Sequence, residues 1–192
     1  MKRGSIGIGF TIFLMVFFIT TFLIVEIYNM YAIKDSAQTL LTRATNVAIE
    51  KSYRRDLLQA SGAYVQDDGS EKSKAVVGID TKIAKQAFYE YLTEAGIEFN
   101  DMGTEGLIKN ADGKVNWILD INNIEMDDGL KYKSDGTLDF VKSATTAGPF
   151  ITVKATIKRN PMFMLVFLEN CDPTKVYTIE IPLTVKTRSR KE

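Results

Sequence analysis

The chain has 192 residues, enough for a membrane anchor and one modest domain. It carries 24 Lys and Arg residues against 24 Asp and Glu residues, so its formal net charge is +0. This balance provides no overall basic field for nucleic acid, and we expect no nucleic-acid partner. Histidine is absent, which removes the commonest general base and the commonest metal ligand and argues against an enzyme.

An uncharged apolar run, IGIGFTIFLMVFFITTFLIV, occupies residues 6–25. A helix of about 20 such residues crosses a bilayer core of ~30 Å. We therefore predict a membrane-spanning helix over residues 5–26, preceded by a short basic leader at residues 1–4. Lys2 and Arg3 place the N-terminus in the cytoplasm and the following domain outside. The main alternative is a cleaved signal peptide, whose apolar core usually has only ~7–15 residues.

The helical pattern continues beyond the span. Apolar residues recur mostly at intervals of three or four, which is typical of one face of a helix; they include Ile27, Met30, Ala37, Leu40, Leu41, Ala44 and Ala48. We predict an amphipathic stalk helix over residues 27–61 that continues the span and ends near residue 60, before Gly62. Its apolar stripe needs a covering surface, either the chain's own domain or neighbouring helices.

Residues 62–192 are predicted to form an extracytoplasmic α+β domain. Residues 62–80 read as a loop, and residues 81–96 as a short helix with Ile83, Ala87, Phe88, Tyr91 and Leu92 on one face. Strand patterns occur at 114–121, 138–141, 150–158 and 176–186, and Pro182 suggests an edge strand or a bulge. The run at 161–169 fits a buried strand or a short helix. The predicted fold is a long N-terminal helix packed on an antiparallel β-sheet.

The N-terminal residues carry a family resemblance. Arg3-Gly4-Ser5 is followed by Ile6-Gly7-Ile8 and then Gly9-Phe10. This order resembles the TadE-like group of type IV pilin-like proteins of the tight-adherence apparatus, which begin with Arg-Gly-Ser, three small or apolar residues and Glu-Phe. The resemblance implies a pilin-like fold, cleavage by a prepilin peptidase between Gly4 and Ser5, and a place in a pilus or secretion apparatus that acts in cell adhesion.

The same resemblance implies that the N-terminal helix contacts other pilin subunits around Gly9 and Phe10. The step Val25-Glu26-Ile27 also resembles the end of the family's span, and Glu26 either makes a polar contact with another helix or is a headgroup-level carboxylate exposed to water. Gly9 departs from the family, which has a glutamate at that position. In pilins this carboxylate is thought to neutralise a neighbouring subunit's N-terminal amine, so its absence favours a minor subunit over a major one. Cleavage after Gly9 is the other register, but Leu14 then replaces the expected glutamate.

Other candidate sites have simpler interpretations. The Asp-Gly pairs, including those at Asp112, Asp128 and Asp135, suit β-turns better than a calcium loop, since the closing glutamate and ligand spacing are missing. The single cysteine, Cys171, has no partner for an intramolecular disulfide. No nucleophile–base motif is present, so we predict no catalytic residue, no metal and no cofactor. The alternative function is a single-pass anchored extracytoplasmic binding domain unrelated to pili.

Overall fold

The computed structural model describes residues 3–54, 57, 63–65, 71–73, 76–100, 103–145, 148–161 and 178–189. The chain begins with one continuous helix, α1 (Arg3–Ser52), of 50 residues. Its sequence contains no proline, and its many Leu, Ile, Phe and Ala residues keep the backbone hydrogen bonds intact. At 1.5 Å per residue the helix is about 75 Å long, more than a bilayer core requires.

The predicted end of α1 near residue 60 is wrong. The helix ends at Ser52, whose hydroxyl lies within hydrogen-bonding distance of the carbonyls of Ala48 at 2.5 Å and Ile49 at 3.1 Å. Tyr53 then leaves the helix axis and pairs with Ile79 in an isolated β-bridge. This pairing with a segment distant in sequence competes with the local helical pattern that the sequence shows.

The main sheet of the described residues has five antiparallel strands in the order β3-β4-β5-β6-β7. These strands are β3 (Glu98–Phe99), β4 (Glu105–Lys109), β5 (Val115–Asp127), β6 (Phe150–Arg159) and β7 (Ile179–Arg188). A separate hairpin joins β1 (Ala63–Val65) to β2 (Glu71–Ser73). Two further helices of the described part are α2 (Thr81–Glu94) and α3 (Phe140–Thr145).

One core joins α1 and α2 to the same face of the sheet. Small side chains of α1 allow α2 to pack closely against it, while β5, β6 and β7 contribute alternating apolar residues. The fully buried members include Ala37, Leu41, Ala44, Phe88, Leu92, Leu119, Ile151 and Val153. The second half of α1 is therefore part of the domain, and the α+β class with a long N-terminal helix on an antiparallel sheet is confirmed.

The helix α1 and the edge strand β7 lie side by side and run in the same direction. Ile181, near the start of β7, lines a small cavity with Ile27 and Tyr31 of α1. At the other end of the strand, the Ser189 hydroxyl lies 2.7 Å from that of Tyr53. The contact thus extends from just above the apolar span to the last turn of the helix.

Most predicted elements of the domain are confirmed. The helix at 81–96 is α2, and Gly96 ends it with a φ of +87°. The strands predicted at 114–121 and 150–158 correspond to β5 and β6, and the described part of the strand at 176–186 corresponds to β7. Pro182 lies in β7, which is an edge strand of the sheet, as the proline suggested.

Three details differ from the sequence prediction. Residues 138–141 are not a strand, because Leu138 forms only a bridge with Tyr132 and α3 begins directly afterwards. The described part of the region read as a loop, 62–80, contains β1 and β2. On α2, Ala84 is buried whereas Ile83 is 49% exposed, so the buried face is rotated from the predicted one. The run at 162–169 and Cys171 lie outside the described residues.

Candidate membrane-spanning and assembly segment

The N-terminal half of α1 exposes an apolar surface. Its side chains are mostly open to the surroundings, for example Phe10 at 62%. The exposed apolar residues include Ile8, Phe10, Ile12, Phe13, Met15, Val16, Phe17, Phe18, Phe22, Ile24 and Ile27. Among the described residues, α1 is the one helix long and apolar enough to cross a membrane. This surface is compatible with single-pass membrane anchoring, since water solvates such a continuous apolar area poorly.

The threonines of this segment are satisfied within the helix itself. Thr11 donates to the carbonyl of Gly7 at 3.0 Å, and Thr20 donates to that of Val16 at 2.8 Å. Thr21 bonds to Phe17 in the same way at 2.8 Å. The hydroxyl donors of all three threonines are therefore satisfied by backbone carbonyls of the same helix. They need no partner from the hydrocarbon core of a membrane, where water is absent.

The residues predicted for processing and assembly lie along this helix. The backbone of Gly4 and Ser5 forms part of its first turns. A Cβ atom added at Gly9 would meet nothing within 4 Å, and the ring of Phe10 is exposed. The region around Gly9 and Phe10 is thus open to another helix or to lipid. Cleavage between Gly4 and Ser5, and contact through Gly9 and Phe10, stay predictions.

Glu26 lies on a different face from this open region. It is 2% exposed, although its neighbours Val25 and Ile27 are exposed. Counting 100° per residue, Glu26 shares a face with Ile33, Ala37 and Ala44, which pack against the domain. The predicted contact of Glu26 with another subunit stays a prediction, and its carboxylate is covered within a single chain.

A polar cavity of about 380 Å³ beside this face was not predicted from the sequence. Its polar and aromatic lining residues are Asn29 and Ser36 of α1, Asn116 and Trp117 of β5, and Arg159 of β6. We call this space the membrane-side cavity, because Asn29 lies only four residues beyond the apolar run at 6–25.

The sequence nevertheless indicates on which face of the sheet Arg159 lies. Side chains alternate between the two faces of a strand with a period of two residues. Val153, Ala155 and Ile157 are the buried, helix-facing positions of β6. Continuing this alternation by two residues places Arg159 on the helix-facing side of the sheet, where the membrane-side cavity lies.

The opposite face of the sheet carries an ionic cluster. The Nζ atom of Lys158 lies 2.7 Å from Oδ2 of Asp120 and 3.6 Å from Oε1 of Glu105. The hydrogen bond to Asp120 raises the pKa of Lys158 above its ordinary value, and both carboxylates add to the effect. Because these groups face solvent, the cluster resembles an ordinary charged sheet surface, and a catalytic arrangement is not needed to explain it.

The described Asp-Gly pairs form turns. Oδ1 of Asp127 accepts from the amide of Gly129, and Oδ1 of Asp135 accepts from that of Thr137. Gly129 and Gly136 have φ values of +75° and +82°, which glycine adopts without strain. Within the described residues, no group of three or more Cys, Asp and Glu side chains is arranged to hold a metal ion. Asp67, Asp68 and Gly69 lie outside the described residues.

Comparison with known proteins gives no matching family model, no matching curated protein and no matching solved structure. Function is therefore inferred from the chain's own residues: the apolar half of α1, its continuation into the domain and the polar cavity where the two halves meet.

Proposed function

We propose that this chain is a minor pilin-like subunit of a TadE-like type, anchored in the cell membrane and acting through assembly in a pilus or secretion apparatus. The observation that carries the proposal is the division of one continuous helix into two halves. The first half exposes apolar side chains, and the second half is built into the core of a β-rich domain. An apolar helix that extends rigidly from a folded domain can lie in a bilayer, and the same surface can also pack against similar helices of other subunits.

The orientation in this proposal follows from the charges at the ends of the span. Lys2 and Arg3 precede the apolar run, and no charge interrupts it before Glu26. The positive-inside rule then favours a cytoplasmic N-terminus and an extracytoplasmic domain. Alkaline phosphatase fused after Glu192 should be active, since this enzyme requires an extracytoplasmic environment. An inactive but intact fusion would contradict the orientation.

Processing can be tested on the mature N-terminus. In cells that contain a prepilin peptidase, mass spectrometry should find that the protein begins at Ser5. Gly4→Leu should leave Met1 in place, because a bulky residue replaces the glycine at the cut. Gly9→Leu is the matched control and should still begin at Ser5. Retention of the leader on the unmodified chain would refute processing. If Gly9→Leu alone prevented cleavage, the cleavage site would lie after Gly9 and not after Gly4.

Assembly can be tested with a photo-cross-linking amino acid. Placed at Phe10, it should give protein adducts with membrane helices of other pilin-like subunits, because the surface around Gly9 is open. The same group at Ile83, on the exposed side of α2, is the control and should not give those adducts. Adducts of Phe10 with lipid alone would contradict assembly.

The second candidate is a single-pass anchored binding domain that joins no filament. One observation favours it: Glu26 is 2% exposed within a single chain, so its carboxylate is not offered to a neighbouring helix. Gly9 likewise supplies no carboxylate at the position where the family has one. Purification as a lone membrane protein, together with lipid-only adducts at Phe10, would support this candidate over the first.

A further inference from the structure

The membrane-side cavity is lined by Arg159, a half-buried cationic residue with an unused donor. The Nη1 atom of Arg159 is buried and makes no hydrogen bond in the part of the chain that the structure describes. A buried donor without a partner is costly, and one on a charged guanidinium more so. Native proteins rarely keep such a group unless a ligand, an ion or water completes it.

The surroundings of Arg159 are suited to an anion. Asn29, Asn116 and Ser36 line the same cavity, and the side chains of these residue types can donate hydrogen bonds. No carboxylate is among the described residues that line it, and Glu26 is not one of them. A guanidinium offers its donors in a planar fork, the geometry that matches a phosphate or carboxylate group.

A second cavity, of about 610 Å³, adjoins the first through Asn116, Trp117 and Arg159. Its described lining includes Lys114 and Lys158 and also lacks a carboxylate. Lys158 is held by Asp120 on the outer side, whereas Lys114 takes part in no ion pair within the described residues. Lys114 and Arg159 are therefore the two basic residues of these cavities that form no ion pair within the described residues.

The distance of the membrane-side cavity from the apolar span, measured along the axis of α1, determines which anion the cavity can bind. Asn29 lies one turn beyond Val25, about 6 Å along the helix axis, and Ser36 lies about 16 Å beyond it. The headgroup layer is roughly 5–8 Å thick on each side of the hydrocarbon core. Tyr28 and Tyr31, which are 73% and 67% exposed, lie at the same level, where aromatic residues commonly mark the membrane interface.

We propose that the membrane-side cavity binds the phosphate group of a membrane lipid headgroup at its lower end, with Arg159 as the main ligand and Asn29 and Asn116 as additional donors. The cavity's volume of about 380 Å³ is within the range of small-molecule sites, ~300–1,000 Å³. The site rests on the membrane placement of α1 but not on assembly. A lone anchored domain and a pilus subunit would both have it.

The test uses the full chain purified in maltoside micelles, which contain no phosphate. Phosphatidylglycerol is added, and native mass spectrometry and thermal unfolding report binding. The unmodified chain should retain one lipid and gain stability. Arg159→Gln should bind about 10- to 100-fold more weakly, as expected for the loss of a charge-assisted hydrogen bond. Arg188→Gln, at the opposite end of the sheet, is the charge-matched control and should bind normally.

A second variant addresses the shape of the site. Asn29 is only partly buried, so Asn29→Leu should fold normally while it removes a donor and narrows the cavity, and it should also lower lipid retention. Equal retention by the unmodified chain and by Arg159→Gln would overturn the proposal and leave Arg159 as a hydrated structural residue. The same stabilisation by inorganic phosphate alone would overturn the lipid assignment in favour of a free anion. Diacylglycerol, which lacks the phosphate, should have no effect.

Discussion

The side-chain hydroxyls of Thr45 on α1 and Thr187 on β7 lie 2.6 Å apart. Thr45 is fully buried, and its hydroxyl can also donate to the carbonyl of Thr42 at 2.9 Å. Either hydroxyl can donate in this pair, and when Thr45 donates to Thr42, Thr187 donates to Thr45. This bond ties the helix that carries the apolar span to the edge strand of the domain.

The first prediction concerns this pair. Thr45→Val and Thr187→Val should each lower the free energy of unfolding by about 0.5–1.5 kcal/mol, because each leaves a partner without its bond. The double variant should cost less than the sum, since no orphaned hydroxyl remains across the contact. Urea unfolding in micelles gives the free energies of unfolding for this double-mutant cycle. The fluorescence of Trp117, the only tryptophan, follows the transition. Strict additivity would show that the hydroxyls are not coupled.

The second prediction tests the face of α2 that packs on the core. Leu92→Ala should destabilise the domain by about 2–5 kcal/mol, because it removes a fully buried side chain. Ile83→Ala is the control on the same helix and should change stability by less than about 0.5 kcal/mol, since Ile83 is largely exposed. Similar costs for the two variants would contradict the observed rotation of the buried face.

The third prediction separates backbone strain from steric clash at two glycines. Gly113 and Gly129 have nearly equal φ values, +76° and +75°. A Cβ at Gly113 would meet nothing within 4 Å, whereas one at Gly129 would lie 2.5 Å from the nitrogen of Pro149. Gly113→Ala should cost only about 1–2 kcal/mol of strain. Gly129→Ala should lower the free energy of unfolding clearly more than Gly113→Ala does. Thermal unfolding of the two variants measures this difference.

The fourth prediction concerns acid stability. The backbone amide of Lys142 donates to Asp139 Oδ1 at 3.0 Å and lowers the pKa of that carboxyl. A lowered pKa in the folded state means that Asp139 stabilises the fold above its unfolded pKa of about 3.9. This contribution is lost as the pH falls through the folded value. Asp139→Asn should therefore flatten the decline of stability below about pH 4.

A charge-matched control accompanies this measurement. Asp112→Asn removes one carboxylate from an exposed turn and controls for the change in net charge. Asp135 acts in the same direction as Asp139, because the Thr137 side chain and amide lower its pKa. The double variant of Asp135 and Asp139 should flatten the acid decline further. An unchanged slope in both variants would contradict the role of these two carboxylates.

The elements with strong periodicity were predictable. The apolar run at 6–25 and the stripe through Leu41 and Ala48 define α1, and strict alternation defines β6 and β7. The short strand β4 has no such pattern: Gly106 interrupts it, and Leu107 and Ile108 are adjacent. Its pairing with β5 is a tertiary interaction that a local pattern does not contain.

The candidate site was only partly predictable. The exposed half of α1 follows directly from its composition. Arg159 is different, because a charged residue at a strand end normally indicates solvent, and only the alternation from Ile157 places it inward. The cavity around it depends on how α1 crosses the sheet. Glu26 is a similar case, since its helical phase matches Ala37 and Ala44 although its charge suggests exposure.

The side-by-side course of α1 and β7 has a mechanical consequence. A force that pulls the domain away from the membrane is carried by a single unbroken rod, with no hinge in the described helix to absorb it. Because α1 and β7 point the same way, that load acts as shear along their whole contact. The bonds at Thr45 and Tyr53 then resist together instead of failing one at a time. In a membrane-anchored chain this arrangement would transmit tension from the span to the domain.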